Sequence, residues 1–396
     1  MEESSCVIFD LVATQPLRNN RHGGGEYAKT VFKTLLAKVS TRKFIAFYSV
    51  VLPIDENLLC YAQRYGVELV GISRQSDIAN IIKMNPGSIF YSSIPYHYHN
   101  IDFCNVNVVF TIHGLRPIES ASDWYEYKYY KSFSDIFKWL VRSVLKKTYI
   151  RWRISQFRKL LSLRAQHVAI VVPSQHTKCS LLLNFTDLKA SNITVLYSPV
   201  TAVEQNIPSH SLTLVNYDLS ERSYILLVSG NRWIKNAYRG LLALEQLIEK
   251  FTIQKKIVIV GGAPSRISCA WQNKFMFLPY VSDEELVLLY KNAFCLLYPT
   301  LNEGFGYPPL EAMRHGTPVI CSSVASLPEI LGDAPLYFSP FSCAEMENRI
   351  LNLLIDDRLW DLKSGQGLKC FKQVVAKQQT GLEELCNLIL NSANCE

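Results

Sequence analysis

What most constrains this chain is a rhythm. Short runs of Val, Ile, Leu and aromatic residues alternate with segments of helical character along nearly all of its 396 residues. Parallel strands need a crossover to return to the same edge, so this alternation marks parallel sheets covered by helices. In the first half the runs predict strands near Cys6–Ala13, Phe44–Val50, Ser88–Ser92, Val106–Ile112 and Val168–Pro173. In the second half they fall near Tyr224–Ser229, Lys256–Val260, Phe275–Leu278, Phe294–Tyr298, Pro318–Cys321 and Leu336–Phe338. The length exceeds what one core usually supports. The expected fold is therefore α/β, with two Rossmann-like, doubly wound domains facing a central cleft: 1–205, a linker at 206–222, then 223–378. A C-terminal helix at 379–396 is expected to pack back on the first domain. In such sheets ligands bind beyond the carboxyl ends of the strands.

Composition narrows the class further. An apolar share of 48% with 19% charged residues suits a globular chain, and no run approaches the roughly 18 apolar residues of a spanning helix. The start, Met1-Glu-Glu-Ser-Ser, lacks the basic and small-residue marks of a signal peptide, so a cytoplasmic location is expected. Eleven cysteines scattered singly, several inside apolar runs, read as reduced thiols and not as a disulfide frame or a metal site. The positive charge is concentrated. Between Lys128 and Arg164 there are eleven Lys or Arg against one Asp and no Glu. Apolar Phe133, Phe137, Leu140 and Val144 recur in the same stretch at helical spacing, which predicts a basic amphipathic helix or helix pair. An acidic membrane surface is one partner for 128–164, and a solvated helix is the plainer alternative. No nucleic-acid motif accompanies the charge.

The most informative passage is Tyr298-Pro-Thr-Leu-Asn-Glu-Gly-Phe-Gly-Tyr-Pro-Pro-Leu-Glu-Ala-Met-Arg-His-Gly. A strand ends near Tyr298, a glycine-containing loop follows, Pro308 and Pro309 suit the first turn of a helix, and Gly316 closes it. The exposed backbone N–H groups at such a helix start make an anion site apt for a diphosphate. Glu303 and Glu311 flank that loop. Carboxylates repel phosphate but accept hydrogen bonds from the hydroxyls of an attached sugar or ribose. As a bare pair they would more simply complement a helix N-terminus.

The whole string, however, resembles the Glu-x7-Glu motif of family 4 glycosyltransferases, which are retaining enzymes of the GT-B fold. The resemblance implies that Glu303 contacts the transferred sugar and Glu311 the ribose, with the N–H groups of Gly304, Phe305 and Gly306 on the phosphates. Val228-Ser-Gly-Asn-Arg-Trp-Ile-Lys-Asn looks like the family's Gly-Arg…Lys-Asn element, which gives Arg232 and Lys235 the task of neutralising the diphosphate. Their separation is shorter than the usual pattern. Tyr280 and Val281, just before a helix capped by Ser282 with Glu285 as its capping-box partner, would border the nucleobase.

In the first half, Arg21-His-Gly-Gly-Gly-Glu follows a strand and opens a helix; its spacing is not that of a dinucleotide fingerprint. The resemblance implies that this loop, with Gly24 and Gly25, closes over the donor or receives the acceptor. It also implies that His113, in Phe110-Thr-Ile-His-Gly-Leu, faces the donor sugar. Ser174 is read as a helix cap. Together these features imply a hexosyltransferase that uses a nucleotide-sugar donor and a glycan or lipid-linked acceptor in surface polysaccharide biosynthesis. Mannose leads the donor sugars, with N-acetylglucosamine, glucose and rhamnose open. No cofactor and no metal are expected. The alternatives are a non-catalytic nucleotide-sugar-binding scaffold and a nucleotide-sugar epimerase.

Overall fold

The computed structural model describes residues 6–15, 23–38, 42–200 and 211–391. Parts of the expected features lie outside these ranges: the N-terminal residues 1–5, Arg21 and His22 of the glycine loop, residues 206–210 of the linker, and the end of the tail from 392.

The first sheet has seven parallel strands: β1 (Val7–Asp10), β2 (Phe44–Ser49), β3 (Glu68–Ile72), β4 (Ile89–Ser92), β5 (Phe103–Thr111), β6 (Ala165–Val172) and β7 (Ile193–Val195). Their spatial order is β3-β2-β1-β4-β5-β6-β7. The inner strands β1 and β4 are buried at every position, as expected where helices cover both faces of a parallel sheet. The order reverses between β1 and β4. There Asp10 is buried and its carboxylate accepts from Ser92 Oγ (2.6 Å), Tyr98 Oη (2.7 Å) and the Val12 N–H (2.9 Å). Burial raises its pKa above the usual carboxylate range, against these donors.

The second sheet has six parallel strands: β8 (Tyr224–Val228), β9 (Lys256–Val260), β10 (Met276–Leu278), β11 (Cys295–Tyr298), β12 (Val319–Ser322) and β13 (Leu336–Phe338). Their order is β10-β9-β8-β11-β12-β13, with the reversal between β8 and β11. All six match runs legible in the sequence. In the first half β3 and β7 were missed, because both are edge strands with exposed or half-exposed residues and no continuous apolar run.

The division of the chain differs from the sequence expectation. One compact unit comprises 1–115, 151–202 and 375–396; the other comprises 116–150 and 203–374. Residues 116–150, expected in the first domain, belong with the second. They are held there by Arg239, which donates to both carboxylate oxygens of Asp123 at 2.9 and 3.0 Å, and by Tyr129 Oη, which accepts from the Tyr238 N–H at 2.8 Å. Asn302 Nδ2 also donates to Glu119 at 2.7 Å, and Arg266 N–H to the Lys128 carbonyl at 2.8 Å. The described part of the expected linker is ordered: Leu212–Asn216 is a helix of the second unit, capped by Ser211. Glu285, expected to complete a capping box with Ser282, instead accepts from the Ser211 hydroxyl and the Leu212 N–H.

The C-terminal helix begins far earlier than 379. It runs from Asp357 to Asn391, and its residues up to 374 belong to the second unit while those from 375 belong to the first. Gly365, Gly367 and Gly381 interrupt its apolar period and conceal its length in the sequence. Near its end Leu385, Cys386 and Ile389 are fully buried in the first unit's core with Val7, Phe9 and Val31, as expected of a tail helix packing on the first domain. No described helix is long and apolar enough to cross a membrane.

Candidate active site

The carboxyl ends of β8 and β11 meet at the order reversal of the second sheet, where a doubly wound sheet opens its ligand crevice. The loop after β8 turns sharply. Gly230 leaves no room for a side chain, since a Cβ there would stand 2.3 Å from the Gly262 carbonyl oxygen. A single 3-10 turn, Trp233–Lys235, then carries Lys235 inward and Asn236 into the left-handed region at φ 56°. Asn236 holds that strained turn in place: its Nδ2 donates to the carbonyls of Pro299 and Pro340, both at 2.9 Å.

Lys235 is buried, and its ammonium donates to Glu303 Oε1 and to Tyr298 Oη, the latter at 2.6 Å. Glu303 Oε1 also accepts from Tyr298 Oη at 2.6 Å and from Thr300 Oγ1 at 3.1 Å. Burial alone would push the Glu303 carboxyl up, but the Lys235 ammonium and the Arg116 guanidinium outweigh it and hold the pKa below the usual range. Burial lowers the pKa of Lys235, partly offset by Glu303, while Arg232 and Arg116 lower it further. The result is a charged, fixed carboxylate held by two cations, Lys235 and Arg116. Such a buried pair is costly to assemble and more costly to break from one side.

The loop after β11 is pinned from behind. Ser326 Oγ donates to the Glu303 carbonyl at 3.0 Å and to the Phe305 carbonyl at 3.4 Å. Gly306, at φ 109°, is the N-cap of the helix Tyr307–Arg314, and a Cβ there would meet Leu327 Cδ2 at 2.6 Å. Pro308 and Pro309 occupy its first turn and Gly316 follows its end at φ 73°, as the motif implied. The positive end of the helix thus opens at Gly304, Phe305 and Gly306. Glu311 lies one turn inside, 3.6 Å from Arg314, and burial pushes its carboxyl up to about 7.

Tyr280 is exposed and donates to Asn231 Oδ1 at 3.0 Å, which ties the β10 loop to the β8 loop; Val281 beside it is half-buried. Arg232 is exposed at the start of the 3-10 turn. The second unit therefore gathers Arg232, Lys235, Tyr280, Val281, Gly304, Phe305, Gly306, Glu303 and Glu311 on the loops and helix start at its strand ends. The first unit gathers a separate set. Gly24 and Gly25 lie in the first turn of the helix Gly23–Lys38, and Tyr27 on that helix meets the His113 ring edge-on at 4.8 Å. Tyr27 Oη also lies 3.3 Å from Thr111 Oγ1, at the end of β5. Ser174 caps the helix Gln175–Asn184, accepting from the Thr177 N–H.

Sequence reasoning missed Arg116, Tyr298 and Thr300. Arg116 lies three residues after His113 and its charge reaches both Glu303 and Lys235. A cation just past a strand's carboxyl end was the available signal. Tyr298 reads as a strand residue, and nothing in its neighbours announces a phenol turned toward a buried carboxylate.

Residues 216–363 match the family model described as "Glycosyl transferases group 1". Among known proteins, the chain is 37% identical over 169 residues to the O-antigen chain mannosyltransferase B of Escherichia coli, covering 40% of this chain and 44% of that one. It is 24% identical over 250 residues to the O-antigen chain mannosyltransferase RfbU of Salmonella typhimurium, covering 62% of this chain and 61% of that one. The matches thus span less than two thirds of either relative. Among solved structures, sucrose-phosphate synthase from Thermosynechococcus elongatus superposes with a TM-score of 0.66 over 97% of this chain and 98% of that one, at 14% identity. Residues 216–363 are thus similar to the glycosyl transferases group 1 family, in a chain whose two parallel sheets have the GT-B architecture.

Proposed function

We propose that this chain is a retaining glycosyltransferase of family 4 that moves a hexose, mannose foremost, from a nucleotide-sugar to a glycan or lipid-linked acceptor in surface polysaccharide assembly. The observation that carries the reading is the fixed Lys235–Glu303 pair beside the positive end of the Tyr307–Arg314 helix. A diphosphate binds where backbone N–H groups and cations converge, and an anionic acceptor beside it takes hydroxyl donors. Arg232 and the Gly304–Gly306 backbone stabilise the departing diphosphate. Lys235 acts mainly through Glu303, holding its carboxylate charged and oriented toward the sugar hydroxyls, while Glu311 accepts from the ribose. Tyr280 and Val281 border the base, and Gly24, Gly25 and His113 serve the sugar or acceptor from the first unit. The acceptor hydroxyl attacks the anomeric carbon as its bond to phosphate breaks, and its proton passes to the leaving phosphate. The reading needs neither metal nor cofactor. The two mannosyltransferase relatives support the mannose preference, and a lipid-linked acceptor would bring the protein to the inner face of a membrane through 128–164.

The test is release of nucleoside diphosphate from GDP-, UDP- and dTDP-hexoses by the purified protein, with the anomeric configuration of the product read by NMR. One nucleotide class should turn over with retention. Lys235→Ala and Arg116→Ala should each lower kcat, the former by at least about 100-fold, with melting curves taken to separate lost chemistry from lost folding. Binding without turnover would leave a nucleotide-sugar-binding scaffold, and inversion would remove the protein from family 4.

A further inference from the structure

The helix Phe133–Val144 is built inside out. On a globular surface the apolar stripe of a helix faces the core, yet here its one buried residue is Trp139. Beside it on the inward side lie half-buried Ile136 and a set of polar contacts. Trp139 Nε1 donates to the Asp123 carbonyl at 3.0 Å, Ser143 Oγ meets Ser122 Oγ at 2.5 Å, and Arg142 donates to the buried Glu126. The outward side carries Phe133 (82% exposed), Phe137 (66%), Leu140 (49%) and Val144 (75%), positions that recur at three- and four-residue steps along one face. Trp124, 73% exposed, adds an aromatic from the preceding turn. The polar anchors show why this face cannot simply roll inward: doing so would break the Arg142–Glu126 ion pair and strip Trp139 from its ring partners Trp124 and Tyr127.

The rim of this face is cationic. Lys131, Lys138, Lys146 and Lys147 are all exposed, and the Arg266 guanidinium lies 5.5 Å over the Phe133 ring. The one acid on the helix, Asp135, is engaged by the Ser132 hydroxyl at 2.8 Å and by Lys138 at 3.6 Å. An exposed apolar face of this kind marks a docking surface, and a basic rim around aromatic and aliphatic side chains complements an anionic interface into which apolar groups can enter. We infer that the Phe133–Val144 helix docks on an anionic lipid bilayer, its apolar face lying in the headgroup layer, with Lys138 and the flanking lysines on the lipid phosphates. The assignment rests on the membrane placement proposed above and sharpens it: one apolar helix face makes the contact, and not the charge of the whole basic segment.

The experiment is flotation of the full chain with phosphatidylcholine vesicles, with and without phosphatidylglycerol, in the absence of any sugar donor. The wild-type protein should float only with the anionic vesicles. Phe133→Ser/Phe137→Ser should weaken that binding by at least about tenfold, since two large apolar groups no longer leave water. Lys146→Gln/Lys147→Gln should weaken it by about tenfold through lost attraction to the surface. All four side chains are exposed, and an unchanged melting temperature confirms that each variant is folded. Undiminished flotation of Phe133→Ser/Phe137→Ser, with loss in the lysine variant, would overturn the inference while leaving a purely electrostatic membrane placement intact. No flotation of the wild type would overturn both. Concentration-dependent dimers in sedimentation velocity, abolished by Phe133→Ser/Phe137→Ser and accompanied by no vesicle binding, would instead assign the face to a second copy of this chain.

Discussion

Burial opposes the charge of Glu311, although the Arg314 guanidinium lies 3.6 Å away. Burial raises its carboxyl from the ordinary 4.5 to about 7, whereas Glu303, eight residues earlier, is held ionised by Lys235 and Arg116. One spacing thus yields two carboxylates with opposite leanings. Because the folded pKa lies above the unfolded one, the folded protein keeps a proton that the unfolded chain releases between about pH 4.5 and 7, and stability is lost as pH rises through that window. The cost at higher pH has an upper bound of about 3 kcal/mol. Glu311→Gln should therefore raise the melting temperature at about pH 8 and change it little at about pH 4, below both values. Equal shifts at the two pH values would show that burial does not disfavour this charge. The same titration should appear in donor binding: the ionised carboxylate is the better acceptor for ribose hydroxyls, so calorimetric affinity for the nucleotide should fall as pH drops below about 7 and be flat in Glu311→Gln.

At the scale of elements, Asp123 joins residues 116–150 to the second sheet's unit through Arg239, which is itself buried and also stacks on Tyr125 at 4.7 Å. Removing one member of a buried, bidentate pair leaves the other charge without its partner and typically costs about 3–5 kcal/mol. Asp123→Ala should destabilise the protein by that order in urea unfolding, with the double variant Asp123→Ala/Arg239→Ala less stable than wild type by clearly less than the two single losses combined. A loss under about 1 kcal/mol for Asp123→Ala would show that the segment is held by other contacts.

The attachment was not legible in the sequence. The partners are 116 residues apart, and an Asp in one half and an Arg in the other carry no mark of each other. The inner strands β8, β9, β11 and β12 of the second sheet were legible because strands buried on both faces must be continuous apolar runs, its edge strands β10 and β13 because each is still a short apolar run, and the Glu303–Gly316 passage because proline, glycine and acid each have a positional reason there. Edge strands β3 and β7 and the long C-terminal helix lacked such marks. Within the candidate site, Lys235, Glu303 and Gly306 could be read from their motifs, but the hydroxyls of Tyr298 and Thr300 that fix Glu303 could not, since their orientation follows from packing around Lys235.

For the molecule as a whole, the two units are not successive stretches of chain: the boundary falls near 115, 150, 202 and 374. The core of the first unit is completed by Leu385, Cys386 and Ile389, and Gln378 Nε2 donates to the Ser198 carbonyl at 2.5 Å. Truncation after Thr380 should uncover Val171, Leu196 and their neighbours in that cluster. Hydrogen exchange should then show lost protection in β1, β4 and β6 while β8, β9 and β11 keep theirs. Uniform loss across both sheets would mean that the units unfold as one.

Those closing residues also set an order of events on the ribosome. The strands β1 to β7 emerge before those of the second sheet, yet the side chains that complete their core follow that sheet, some 190 residues after β7. The first sheet's core can therefore be completed only after the other sheet has been synthesised. A frameshift or stop codon near position 380 would strike the earliest-made half of the protein and leave the later-made sheet whole.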